Sequence, residues 1–188
     1  MTRKGLQSAS RWLAVFLLAA CGGQEGDAGV DTAAPAATIS PTAGDAELEA
    51  AARNVILFLQ GSTPFDSVPL ADSVALYVAP EGGGARSVYS RDALRQPSSW
   101  RVTSGQRTFP LAPPPGMDSL TTKAGRHFNC REYDLASRYP ELARQPHVGI
   151  KLEPAQAASC LQTWNVTMVF DSTAQRRLTA AVYDQWEW

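Results

Sequence analysis

QTWNVTMVF, residues 162–170, is the stretch of this sequence that decides its fold. Its large apolar side chains recur at every second position, which is typical of a β-strand. Residues 171–177 are a polar turn, and residues 178–188 (LTAAVYDQWEW) alternate again. The two segments therefore predict a long antiparallel β-hairpin at the C-terminal end of the fold. One face of its second strand is predicted to carry Leu178, Ala180, Val182, Asp184, Trp186 and Trp188.

The clearest helix signal is DAELEAAARNVILFLQG, residues 45–61. Asp45 is a suitable N-cap, and Gly61 stands where a glycine commonly ends a helix. Apolar residues recur between them at helical spacing and cover a wide face. We therefore predict that this helix packs on another element of the fold.

The residues between the helix and the hairpin predict short elements separated by glycine and proline. Short helices are predicted at 91–96, 134–139 and 141–145. Extended segments are predicted at 73–79, 86–89, 100–103, 107–109, 120–122 and 148–152, with 126–130 continuing the segment at 120–122. This order indicates an α+β domain, in which the N-terminal helix packs on a curved antiparallel sheet that ends in the C-terminal hairpin. It resembles the nuclear-transport-factor-2-like cone fold.

The first 21 residues have the composition of an export signal. Arg3, Lys4 and Arg11 provide positive charge, and residues 12–18 (WLAVFLL) form an apolar run that ends in two alanines and Cys21. A helix needs about 20 apolar residues to cross a bilayer, so this run is too short for a stable span.

Leu18-Ala19-Ala20-Cys21 resembles the lipobox of bacterial lipoproteins position by position. The resemblance implies that residues 1–20 are a signal peptide, that cleavage occurs before Cys21, and that Cys21 carries a diacylglycerol anchor. It also implies that the protein is extracytoplasmic and that the lipid attaches it to its partner, the membrane. Gly22 follows in place of the aspartate that retains lipoproteins at the inner membrane of enterobacteria, which favours the outer membrane.

The mature chain divides into a linker at 21–44 and one globular domain at 45–188. The linker is rich in glycine, alanine, threonine and proline and has no aromatic residue, so it predicts a flexible tether. Loss of Arg3, Lys4 and Arg11 with the signal leaves 14 basic against 18 acidic residues, a formal net charge of −4. That balance argues against a nucleic-acid partner.

Cys130 and Cys160 remain as a pair once Cys21 is lipidated. In an exported protein the simplest interpretation is a disulfide. Two alternatives stay open at this point. In the first, the two cysteines are separate thiols. In the second, they bind zinc together with His127 and His147 in a tetrahedral site. The long spacings after Cys130 argue against zinc, and we predict neither a metal nor a cofactor.

No catalytic signature is present, since the chain has no Gly-x-Ser-x-Gly, Ser-x-x-Lys or His-Glu-x-x-His motif. No catalytic residue is therefore predicted. His127, Arg126 and Trp164 are the candidate ligand-binding residues, because an arginine receives anions and a sheet-lined aromatic pocket receives apolar groups. The favoured hypothesis is a non-enzymatic envelope lipoprotein that binds a protein or a small molecule. The alternatives are a small hydrolase or isomerase with a pocket of the nuclear-transport-factor-2-like type, and a His/Cys metal-binding domain.

Overall fold

The computed structural model describes residues 43–78, 84–130, 134–156 and 159–184. All of them belong to one compact unit of the chain. The predicted signal peptide, the lipobox with Cys21, most of the linker, the turn at 81–83 and the last residues with Trp186 and Trp188 lie outside the described residues.

The domain is α+β, as the sequence predicts. The helices are α1 (Ala43–Leu59), α2 (Leu135–Arg138) and α3 (Pro140–Ala143). The strands are β1 (Leu70–Val78), β2 (Ala85–Ser90), β3 (Arg101–Ser104), β4 (Arg107–Pro110), β5 (Ser119–Ala124), β6 (His147–Glu153), β7 (Trp164–Phe170) and β8 (Leu178–Asp184). Six strands form the main sheet in the order β2-β1-β8-β7-β6-β5, and β3 and β4 form a separate hairpin.

Helix α1 ends as its sequence predicts. Gly61 has a φ of +76°, its N–H donates to the carbonyl of Phe58 at 2.8 Å, and the next N–H, of Ser62, donates to Leu57 at 2.7 Å. These two bonds are the glycine-terminated Schellman motif. The helix is already formed at Ala43, so Asp45 lies in its first turn and the prediction of Asp45 as N-cap is wrong. In the described part of the chain, no helix has the length and apolar character needed to cross a membrane.

The C-terminal hairpin forms, but the sheet is not purely antiparallel. β7 and β8 pair antiparallel, whereas β8 also pairs with β1 in parallel, for example Tyr77 with Val182. Alternation identifies a strand without specifying the direction of its neighbour, which explains the wrong prediction. Because β8 lies between β1 and β7, the hairpin occupies the centre of the sheet and is buried on both faces.

A β-bulge at the start of β8 changes which of its side chains share a face. Phe170 pairs with Leu178 and Val169 pairs with Ala180, so Thr179 is an extra residue in the ladder. Leu178 therefore packs in the α1-facing core, while Ala180 packs in the cluster on the other face. The prediction that strict alternation places Leu178 and Ala180 on one face is wrong for this reason.

Both faces of the main sheet are covered. On one face, the apolar side of α1 packs on β1, β6, β7 and β8. The outer side of α1 contacts β5, where Arg53 donates to Thr122 at 2.8 Å and Glu49 accepts from the Ala124 N–H at 3.0 Å. On the other face, Leu135 of α2 and Leu142 of α3 pack on the centre of the sheet. This second layer positions the candidate site.

Candidate functional site

The segment that follows β5, residues 125–130, forms one wall of the site and is called the cleft loop below. Gly125 has a φ of +65°, a conformation that turns the chain away from the direction of β5. Its N–H donates to the carbonyl of His147 at 2.8 Å. The prediction that residues 126–130 continue the strand is therefore wrong, because the chain crosses the sheet after Gly125 instead of following its edge.

The cleft loop passes directly over Gly149 of β6. A Cβ atom at this position would lie 2.6 Å from the carbonyl oxygen of Arg126 and 3.1 Å from the ring of Phe128. Both distances are shorter than ordinary van der Waals contact. Gly149 thus allows the backbone of the loop to lie flat on the sheet.

His127 connects the cleft loop to the two central strands. Its Nδ1 lies 2.6 Å from Oγ1 of Thr167, and its Nε2 lies 3.1 Å from Oδ2 of Asp184. The His127 and Asp184 side chains are only 5% and 2% exposed, and Thr167 is fully buried.

The order hydroxyl, imidazole, carboxylate is also that of a catalytic triad. Thr167 lies within β7 with no exposed surface, so a substrate has no access to its hydroxyl group. Both ring nitrogens of His127 are engaged by buried partners. We therefore interpret the three side chains as an anchor that holds the cleft loop on β7 and β8.

A disulfide fixes the far end of the cleft loop. Cys130 and Cys160 are bonded to each other, which confirms the predicted pairing. Cys160 begins the short 3-10 turn Cys160–Gln162 that precedes β7. The zinc alternative does not fit this arrangement, because it needs both sulfurs as thiolates.

A cleft of about 510 Å³ opens between the cleft loop and helices α2 and α3. Asp134 caps α2 by accepting the Ser137 N–H at 2.6 Å, and Leu135 buries its side chain on the sheet, so the second wall is also fixed. The side chains that give the cleft its chemical character are Arg126, Phe128, Asp134, Leu135, Ala143 and His147.

His147 presents one ring nitrogen for a ligand. Its Nδ1 lies 2.9 Å from the carbonyl oxygen of Gln145. A carbonyl only accepts, so Nδ1 carries the proton of this bond and Nε2 is the remaining polar atom of the ring. Arg126 is exposed, and no acidic side chain within residues 43–78, 84–130, 134–156 and 159–184 forms an ion pair with it.

The structure brings together two of the three residues predicted to bind a ligand. Arg126 and His127 lie at the cleft, although His127 acts mainly as the buried anchor. Trp164 lies on the opposite face of the sheet, 2% exposed, with its ring 5.9 Å from that of Tyr183. Sequence reasoning predicted the helix at 134–139 but not its place beside the site, and it did not name Phe128 or His147 as ligand-binding residues. The sequence signals for the two walls of the cleft are Gly125, which begins the cleft loop, and Asp134, which caps α2.

A second cavity, of about 500 Å³, lies beside the start of β1 and the end of β2. Arg91 and Arg95 stack over the ring of Phe65, and Arg95 also pairs with Asp92 at 2.9 Å. Its charges are thus largely balanced within the cavity. The cleft beside Arg126 and His147 is the stronger candidate of the two.

No protein-family model, curated protein or solved structure matches this chain significantly.

Proposed function

We propose that this protein is a lipid-anchored envelope lipoprotein whose globular domain binds a small molecule in the cleft between the cleft loop and α2–α3, without catalysing a reaction. The observation that carries the proposal is that the cleft is fixed on both sides. Gly149, the His127 anchor and the Cys130–Cys160 disulfide hold one wall, and the cap at Asp134 holds the other. Small-molecule sites are typically preformed concavities of this size.

The envelope location is supported by two independent features. The motif Leu18-Ala19-Ala20-Cys21 resembles a lipobox, in which the cysteine is lipidated, and the Cys130–Cys160 disulfide fits an oxidising compartment. A flexible linker that ends before α1 at Ala43 gives the domain a reach on the order of 25 Å from its anchor. With Gly22 after the lipidated cysteine, the outer membrane is the proposed site of anchoring.

The burial and the contacts of the reactive groups favour binding over catalysis. The Thr167 hydroxyl, which is hydrogen-bonded to the imidazole of His127, is fully buried. The ring nitrogens of His127 face Thr167 and Asp184 and its side chain is 5% exposed, so it is poorly placed to act as a base toward a molecule in the cleft. The polar atoms that do face the cleft, on Arg126 and His147, suit recognition of a bound group.

Lipidation is tested by metabolic labelling with an alkyne-bearing fatty acid in the bacterial host. The wild-type chain should incorporate the label, and Cys21→Ser should not. Cys130→Ser is the matched control, because it removes a cysteine that is predicted to carry no lipid, and it should retain the label. Equal labelling of wild type and Cys21→Ser would reject the lipoprotein proposal.

Binding in the cleft is tested by a fragment screen with ligand-observed NMR. Ala136 lies on α2 at the edge of the cleft and is exposed, so Ala136→Phe should fill the cleft without disturbing the core. Arg144→Phe adds the same ring at an exposed position after α3 that does not line the cleft and serves as control. Fragments that bind wild type and Arg144→Phe but not Ala136→Phe support the proposal. A screen in which no fragment shows this difference rejects it.

A further inference from the structure

The charged side chains around the cleft differ in the partners that they already have. Asp184 is buried against the ring of His127 and does not line the cleft. Asp134 is the acidic side chain of the cleft, and one of its oxygens already accepts the backbone N–H of Ser137 at 2.6 Å. Arg126 is exposed and has no carboxylate partner in the described part of the chain.

The second polar group of the cleft is the ring of His147. The Gln145 carbonyl occupies Nδ1 of His147, so a ligand meets Nε2. The guanidinium group of Arg126 matches a carboxylate, which accepts hydrogen bonds through two oxygens. A cationic ligand is matched less well, because Asp134 is the single acidic residue among the described residues that line the cleft.

The rest of the cleft is apolar and rigid. Phe128 is held against Gly149, where its ring lies 3.1 Å from the position of an added Cβ. Leu135 is 3% exposed, and Ala143 packs on the same apolar cluster. These groups suit an aromatic or aliphatic body, and a volume of about 510 Å³ admits a molecule larger than a single ring.

We infer that the cleft takes a small organic carboxylate, whose anionic group meets Arg126 and His147 and whose apolar body packs on Phe128 and Leu135. The inference rests on the proposed function, which assigns this cleft as a ligand site, and it adds the chemical class of the ligand. Arg126 is then the residue that determines specificity for anions.

The test uses three probes of nearly equal shape and different charge: benzoate, benzylamine and benzyl alcohol. They are titrated into the full lipidated protein in detergent micelles, with protein-free micelles as blank. The chain contains only two histidines, so their ring C–H signals report separately on the cleft and on the buried anchor. Benzoate should shift the His147 signal saturably, with an affinity about tenfold or more above that of benzylamine.

Two arginine variants separate the inference from the function on which it rests. Arg126→Gln should weaken benzoate about tenfold and leave benzyl alcohol unchanged. Arg144→Gln, an exposed arginine just after α3 that does not line the cleft, should change neither. If benzylamine or benzyl alcohol binds in the cleft as well as benzoate, or Arg126→Gln has no effect on benzoate, the carboxylate inference is overturned while the cleft remains a ligand site. If no probe shows binding that Ala136→Phe abolishes, both the carboxylate inference and the proposed function fail.

Discussion

The carbonyl oxygen of Arg126 occupies the space in which a side chain at position 149 would begin. A Cβ atom on Gly149 would lie 2.6 Å from that oxygen and 2.9 Å from its carbon. Both are backbone atoms, so no change of rotamer relieves the contact. One glycine in β6 therefore determines where the cleft loop lies, and with it the positions of Arg126 and His127.

Gly149→Ala is expected to displace the cleft loop and to destabilise the domain by about 1–3 kcal/mol, the usual range for overpacking. Urea unfolding measures the change, and the His127 ring signal should move because its anchor is disturbed. Lys151→Ala is the control, since Lys151 is on the same strand and its half-exposed ion pair with Glu153 contributes about 0–1 kcal/mol. Equal stability of Gly149→Ala and wild type would contradict the close passage of the loop.

The buried pair of His127 and Asp184 makes a second prediction. His127→Ala leaves the carboxylate of Asp184 buried without its imidazole partner, so we expect a loss of about 3–5 kcal/mol. His127→Ala combined with Asp184→Ala should recover part of this loss, which a double-mutant cycle measures. Thr167→Val should lose about 1 kcal/mol, because it removes only the hydroxyl partner.

The control for the anchor is the second histidine. His147→Ala removes a ring that is half-buried at the cleft and bonded to one backbone carbonyl, so it should destabilise the domain by less than about 1.5 kcal/mol. If His127→Ala and His147→Ala had the same small effect, His127 would not be the anchor.

The elements that sequence reasoning predicted correctly are those with local signals. Helix α1 combines an apolar face with a terminal glycine, and β7 alternates over its full length. The Cys130–Cys160 bond followed from the number of cysteines and the predicted export signal. In each case the decisive residues are close in sequence, or the alternatives are few.

The features that were missed depend on contacts between distant residues. The parallel pairing of β1 with β8 is set by how the chain returns to the sheet, and the bulge at Thr179 is a single extra residue in an otherwise regular pattern. Residues 126–130 were predicted to continue the extended segment at 120–122. Its path is decided by the positive φ of Gly125 and by the absence of a side chain at Gly149.

The turn between β7 and β8 should give the domain an acid-sensitive contribution to stability. Burial alone would raise the pKa of Asp171, but hydrogen bonds from Thr173 and Arg177 outweigh it and hold the pKa below the usual range. A lowered pKa in the folded state means stabilisation that is complete above the ordinary aspartate value of about 3.9 and is lost as pH falls through the folded value.

Asp171→Asn should therefore destabilise the protein at pH 7, by about 1–2 kcal/mol from the weakened hydrogen bonds. The difference from wild type should narrow as pH falls below about 3.9, where Asp171 of the unfolded chain is protonated first, and it should be smallest below the lowered pKa of the folded state. Thermal unfolding at pH 7 and pH 2.5 measures both effects, with the exposed Asp118→Asn as control. A difference that is constant with pH would show that the charge of Asp171 does not contribute.

The disulfide is expected to support both the stability of the domain and the shape of the cleft. Cys130 and Cys160 are 30 residues apart in sequence, and the chain-entropy model gives about 3–4 kcal/mol for closing such a loop. Reduction with a dithiol should lower the midpoint of urea unfolding accordingly and broaden the His127 ring signal, because the cleft loop is released at its far end. The double variant Cys130→Ala/Cys160→Ala should behave like the reduced protein and show no further response to the dithiol, which excludes effects of the reductant elsewhere. Alkylation of the denatured, unreduced protein should label neither cysteine, and two labelled thiols would show that the bond does not form.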